Sequence, residues 1–134
     1  MADRDRIRNM SQSADVRTFT LSFQIQFPTI GIPLYLDPDA VFPYEIISIR
    51  ILLEDGIVEL VPEIDGDILL TDCSDSYGRI PVDQPVVQVC EPISPSAAIV
   101  PLGGSLLVTI DDATTDATNL VVNVVCRRTD VNVP

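Results

Sequence analysis

Alternation of apolar and polar side chains, repeated in short stretches along the chain, is the feature that most constrains the fold. Within Gly103–Arg128 it occurs twice, first at Leu106, Val108 and Ile110 and again after a polar loop. The apolar positions of the second stretch are Leu120, Val122, Val124 and Cys126. A period of two places one set of side chains against a core and the other toward solvent or a partner. The region therefore predicts two β-strands joined by the loop 111–118.

The residue usage extends this prediction to the whole chain. Among 134 residues there are 16 valines and 15 isoleucines against 7 alanines, 11 prolines are scattered throughout, and lysine is absent. β-Branched residues favour strands, while proline interrupts helices. We predict an all-β protein: a single jelly-roll-like β-sandwich of about eight short antiparallel strands. The clearest strands are predicted at 18–27, 44–53, 57–61, 86–90 and the two stretches above.

The first 17 residues differ from the rest. They carry four arginines, among them Arg4, Arg6 and Arg8, against three aspartates, whereas the whole chain has a net charge of −12. The segment is polar and has no strand periodicity before Thr18. We therefore predict a flexible N-terminal arm at 1–17 and a sandwich domain at 18–134. The arm could order against an acidic neighbouring subunit.

Two of the predicted strands are apolar on both faces. In 44–53, the isoleucines at 47, 49 and 51 alternate with Ile46 and Leu52, and in the last strand Val121 and Val125 alternate with the core positions. Either both faces are buried within the domain or one of them meets another subunit. The outward set of Ile46, Leu52, Val121 and Val125 is our predicted partner surface. A closed homo-oligomer, for which we expect a trimer, would cover such a patch.

The residue types missing from the chain argue against an enzyme. Without histidine no Ser-His or Cys-His nucleophile can form, and without lysine no Schiff base can. The remaining candidates are carboxylates clustered in the loops around 65–75 and 111–116. Oxygen-rich loops can hold calcium, but Asp is also a common turn residue, and the spacing of an EF-hand is absent. We expect no cofactor and no metal.

The polar stretch 72–84 is predicted to be a surface excursion, and Tyr77 beside Gly78 and Arg79 is its best candidate for an exposed contact. A tyrosine in an acidic loop could stack on a sugar ring. The interpretation we favour is that it caps the edge of the sandwich. The net charge of −12 would repel phosphates, so we expect no direct binding to nucleic acid.

Three cysteines, at positions 73, 90 and 126, form an odd set without short paired spacing. The start of the chain has no apolar stretch typical of a secretory signal, and no run is long enough for a membrane helix. We therefore expect no membrane partner, synthesis in a host cytoplasm and three free thiols. If any pair is joined, Cys73 with Cys90 is the pairing to expect first.

The run Pro101–Ile110, the loop after it and the strand Asn119–Val125 resemble small β-sandwich structural proteins of tailed bacteriophages, above all capsid decoration (cement) proteins. The resemblance covers roughly residues 43–128 and is one of pattern. It implies a jelly-roll domain, often a homotrimer, that sits on the capsid surface of the virion and staples neighbouring capsomers.

The resemblance thus implies a virion structural protein whose partners are the major capsid protein or other virion subunits. An alternative from a different class is a carbohydrate-binding or host-attachment module of a phage tail or fibre, using exposed tyrosines and acidic loops. A small carboxylate enzyme is the third hypothesis, and the missing residue types make it the weakest.

Overall fold

The computed structural model describes residues 17–83 and 87–130 of the chain. They form two antiparallel sheets and a single-turn 3-10 helix at Pro95–Ala98. The strands are β1 (Thr18–Ile25), β2 (Pro33–Asp37), β3 (Tyr44–Asp55), β4 (Ile57–Ile64), β5 (Asp67–Ile68), β6 (Ile80–Asp83), β7 (Val87–Cys90), β8 (Ile99–Val100), β9 (Leu106–Ala113) and β10 (Thr118–Arg128). The predicted all-β class is confirmed. In the described ranges no helix is both long and apolar enough to cross a bilayer.

The order of the strands identifies the sandwich as a jelly roll. The first sheet runs β1-β10-β3-β7, with β8 beside β3, and the second runs β2-β9-β4, with β5 and β6 beside β4. The longer strands pair from the ends of the chain inward: β1 with β10, β2 with β9, β3 with β7 and β4 with β6. Successive pairs alternate between the two sheets. A long hairpin wrapped in this way is the jelly-roll arrangement.

The core lies between the sheets and is built from the alternation seen in the sequence. On β10 the inward side chains of Leu120, Val122 and Val124 are fully buried. Those of Leu106 and Ile110 on β9 are buried in the second sheet. Both predicted strands therefore exist with the predicted inward faces.

An aromatic cluster closes one end of the sandwich. The rings of Phe19 and Tyr44 meet edge to face at 5.2 Å between centroids, and Phe42 packs against both. The Tyr44 hydroxyl donates to the Asp37 carboxylate at 2.8 Å. Burial, together with this hydrogen bond, raises the pKa of Tyr44. The guanidinium of Arg128 lies 3.9 Å from the centre of the Phe42 ring. These contacts hold the loop between β2 and β3 in place.

Part of the predicted excursion at 72–84 is a strand. Ile80 and Val82 of β6 are buried and pair with β4. In this short strand the buried residues alternate with Pro81 and Asp83, which face outward. The polar residues that precede the strand made this alternation difficult to recognise in the sequence. The excursion is therefore confined to the loop that precedes Ile80.

Candidate interaction surfaces

The middle of the outer face of the first sheet has almost no charge. We call this region the neutral face, and its members are the outward side chains from the middle of four neighbouring strands: Thr20, Ser22, Gln24, Ser48, Arg50, Leu52, Val87, Val89, Val121, Asn123 and Val125. Arg50 is its only charged residue, although the chain contains 20 acidic residues. The carboxylates Glu45 and Glu54 lie at the ends of these strands. Glu45 pairs with Arg127 at 3.3 Å, and Glu54 accepts a hydrogen bond from Asn119.

Three of the predicted partner residues belong to this face. Leu52 is 42% exposed, and Val121 lies opposite it on β10. Val125 lies further along β10, opposite Ser48. A shallow depression runs between Leu52, Val87 and Val121, and Arg50 and Asn123 form part of its lining. The apolar side chains are therefore contiguous across the central strands.

The predicted outward orientation of Ile46 is wrong. A register shift occurs where β10 passes from Val125, which pairs with Ser48, to Cys126, which pairs with Ile46. This bulge gives β3 an extra residue, Ile47, and inverts the alternation before it. Ile46 is consequently buried, on the same side as Ile49. A strict period of two cannot locate such an insertion.

A second surface lies on the outer face of the other sheet, where the loop before β6 is tightly closed. The Asp75 carboxylate accepts hydrogen bonds from the backbone amides of Tyr77 and Arg79 at 2.8 and 2.9 Å, and from the Arg79 side chain at 3.0 Å. These donors, the Arg79 amide first, lower the pKa of Asp75. The contribution of this carboxylate to closing the loop is therefore present at neutral pH and is lost as the pH falls through that lowered pKa.

This closure presents Tyr77 to solvent. Its side chain is 73% exposed, and its ring lies 5.0 Å from the Arg79 guanidinium. Arg79 also approaches Glu59 at 3.5 Å and Asp111 at 4.0 Å. Tyr77 thus stands beside a set of fixed charges instead of capping the apolar edge of the sandwich.

An open cleft of about 340 Å³ lies beneath this loop. Its lining combines an aromatic ring, an arginine, two carboxylates and a hydroxyl with apolar residues. The residues are Val61, Glu63, Ile68, Tyr77, Arg79, Thr109 and Asp111. Sequence reasoning identified Tyr77 but missed Glu63 and Thr109, which are brought to the cleft by β4 and β9. Their outward positions follow from strand alternation, but the sequence gives no signal that the strands are neighbours.

Several acidic side chains close loops. Asp65 accepts the Ser105 amide at 2.8 Å, and Asp72 accepts the Glu91 amide at 2.9 Å. Asp112 accepts the amide of the next residue, Ala113, at 2.9 Å. The first two contacts join segments 40 and 19 residues apart in the sequence, so these carboxylates link separate parts of the chain.

The prediction of three free thiols is wrong. Cys73 and Cys90 are joined by a disulfide, with their Cα atoms 5.5 Å apart, and Cys126 is free and buried. Burial raises the pKa of the Cys126 thiol.

The two bridged sulfurs and Asp72 form the one cluster of three potential metal ligands found among residues 17–83 and 87–130. A disulfide lacks the thiolates that a metal site of this type requires.

The arm residues Arg4, Arg6 and Arg8, with most of the predicted segment 1–17, lie outside the described residues.

Comparison with known proteins gives no match to a family model and none to a curated protein. Among solved structures, the coat protein of Tobacco streak virus aligns with a TM-score of 0.41 at 9% identity, over 92% of this chain and 94% of that chain. A structure of infectious bursal disease virus, Gx strain, aligns with a TM-score of 0.37 at 15% identity, over 88% of this chain and 34% of that chain.

A third similar structure is the N-terminal cellulose-binding domain of Cellulomonas fimi β-1,4-glucanase C. It aligns with a TM-score of 0.37 at 14% identity, over 87% of this chain and 80% of that chain. All three TM-scores are below 0.5, so these likenesses carry no functional conclusion. A fold of this type also hosts unrelated functions, so function has to be argued from the surfaces.

Proposed function

We propose that this chain is a non-enzymatic virion structural protein that binds a capsid lattice, as decoration or cement proteins do, and that the neutral face is its contact surface. The neutral face is the observation that carries the proposal. An acidic chain repels other acidic surfaces, and a broad outer sheet face without a carboxylate is where a close approach costs least. Jelly rolls are common in viral capsids, which agrees with this role by analogy of fold alone.

The chemistry of the face fits a protein partner. Leu52, Val87 and Val121 offer apolar area, and apart from Arg50 the polar residues around them are uncharged, so little desolvation of charge opposes docking. Arg50, which has no ion pair within the described part of the chain, supplies one cation for a carboxylate or carbonyl of the partner. The homotrimer implied by the resemblance, and the docking role of the arm, stay predictions.

The test is co-sedimentation of the full chain with capsid shells that lack it. Leu52→Asp and Val121→Asp place a charge within the apolar part of the neutral face, and each is expected to weaken binding by about tenfold or more, because burying an unpaired carboxylate is costly. Val41→Asp is the matched control, since Val41 is 80% exposed in the loop between β2 and β3 and is not part of the neutral face. Wild-type protein that stays in the supernatant at all concentrations would refute the proposal.

The cleft beneath Tyr77 favours a second candidate function, binding of a neutral carbohydrate. An exposed ring beside carboxylates, an arginine and a hydroxyl provides both a stacking surface and hydrogen-bonding groups for a sugar. The carbohydrate would lie across β4 and β9, on the opposite side of the sandwich from the neutral face. The two functions therefore use separate surfaces.

A glycan array followed by titration calorimetry tests this candidate. Tyr77→Ala is expected to reduce affinity for any bound glycan by about tenfold, because the stacking surface is lost. Tyr35→Ala is the matched control: Tyr35 is 57% exposed on the same sheet but does not line the cleft. No binding by the wild type, or equal losses in both variants, would reject the cleft as a sugar site.

A further inference from the structure

One edge of the first sheet is unlike the other edges of the sandwich. β2 has five residues and begins with proline, β6 has four residues and contains Pro81, β7 has four residues and β5 has two. Short strands and prolines are the usual protection against pairing with another chain. β1 has eight residues, TFTLSFQI, without a proline or a charge. Its only partner strand in the described chain is β10.

The side chains of β1 also leave the core incompletely covered. Leu21, Phe23 and Ile25 face inward but are only partly buried. The residues paired with them on β10, namely Val124, Val122 and Leu120, are fully buried. The difference arises because β10 has a strand on each side and β1 has one. A further strand beside β1 would cover this apolar margin.

We propose that β1 pairs antiparallel with the β1 strand of a second copy of this chain across a two-fold axis. The alternation restricts the possible registers, since apolar residues must lie opposite apolar residues. A pairing centred on Ser22 meets this condition over Phe19–Ile25. It sets Leu21 opposite the partner's Phe23 and sets Ser22 opposite its own counterpart.

The sequence of β1 fits a second copy as the occupant of this edge, because its alternation is complementary to itself and it carries no charged residue. Two chains of net charge −12 repel each other, so self-association is least opposed where carboxylates are absent. The strand 18–25 carries none, and the neighbouring neutral face carries none either. Pairing through β1 would join the two neutral faces into one continuous sheet surface.

This inference concerns the edge of the sheet and does not rest on the proposed function of its face. The pairing uses one edge of each subunit and closes at two copies, in place of the trimer implied by the resemblance. Capsid binding and dimer formation are measured separately. Val121→Asp is expected to affect capsid binding and leave the dimer intact.

The first test is native mass by sedimentation equilibrium across a concentration series of the full chain. Wild-type protein is expected at twice the 14.6 kDa chain mass. Ser22→Lys puts two ammonium groups opposite each other at the centre of the pairing and is expected to give monomers. Ser22 is exposed, so the fold tolerates the change. Ser96→Lys, at another exposed serine, adds the same charge and is expected to stay dimeric.

The second test fixes the register by oxidative cross-linking. Residues directly opposite each other in an antiparallel pair have Cα atoms about 4.5–5.5 Å apart, which a disulfide can span. Ser22→Cys is therefore expected to give a covalent dimer on a non-reducing gel. Two copies of Gln24→Cys would lie about 13 Å apart along the strands and are expected to stay uncrosslinked. A monomeric or trimeric wild type, or equal cross-linking of both variants, would overturn the pairing.

Discussion

Replacing Tyr44 with alanine is expected to lower the free energy of unfolding by about 3–5 kcal/mol, the range observed when a large buried ring is removed. Tyr44 is 1% exposed and contacts Phe19 and Phe42, so its loss leaves a cavity at the closed end of the sandwich. It also leaves Asp37 without the hydroxyl that now donates to it. Chemical denaturation followed by circular dichroism measures the change.

Two control variants separate the contributions to this effect. Tyr44→Phe keeps the ring and removes the hydrogen bond to Asp37, so a loss of about 1 kcal/mol is expected. Tyr35→Ala removes the same side chain at an exposed position, where an effect within about 0.5 kcal/mol is expected. Similar losses for Tyr44→Ala and Tyr35→Ala would contradict the packing described for this end of the sandwich.

Removing the disulfide is the second change with a large expected effect. Cys73 and Cys90 are 17 residues apart, and closing a loop of that length in the unfolded chain is worth about 3 kcal/mol. The double variant Cys73→Ser/Cys90→Ser is expected to unfold at a temperature about 10 °C lower than the wild type. The bridge ties the end of β7 to the segment after β5, where Asp72 and Glu91 are also hydrogen bonded. Differential scanning calorimetry is the measurement.

Reductant provides the matched control for this prediction. It is expected to lower the unfolding temperature of the wild type to nearly that of the double variant, and to leave the variant unchanged. Thiol titration of the denatured, unreduced wild type should find one thiol, from Cys126. Finding three thiols would contradict the bridge.

Much of the fold could be predicted because each strand carries its own signal. The alternation at Val122 and Val124 gave the right inward face, since a strand packed on one side must repeat every two residues. The bulge at Ile47 could not be predicted in this way, because the inserted residue is as apolar as its neighbours. β6 could not be predicted either, because the proline between Ile80 and Val82 is a residue typical of loops.

The candidate surfaces were only partly predictable, since they depend on which strands become neighbours. Leu52 and Val121 were found because each belongs to a strand that is apolar on both faces. Glu63 and Thr109 were not found, because the cleft exists only after β4 and β9 pair. The pair Cys73 and Cys90 was named as the first to expect, but free thiols were predicted, because the sequence separation of two cysteines does not reveal that their Cα atoms lie 5.5 Å apart.

The pairing of strands that are distant in the sequence has a consequence for biosynthesis. β10 lies between β1 and β3 and is synthesised after both of them, so the first sheet cannot assemble until residues 118–128 have left the ribosome. Until then the apolar residues of β1 and β3 remain without their neighbour, and contacts between distant parts of a chain form slowly. Nascent chains of this protein should therefore depend on chaperones that hold exposed strands apart, and ribosome-bound chains ending before Thr118 should be protease-sensitive throughout.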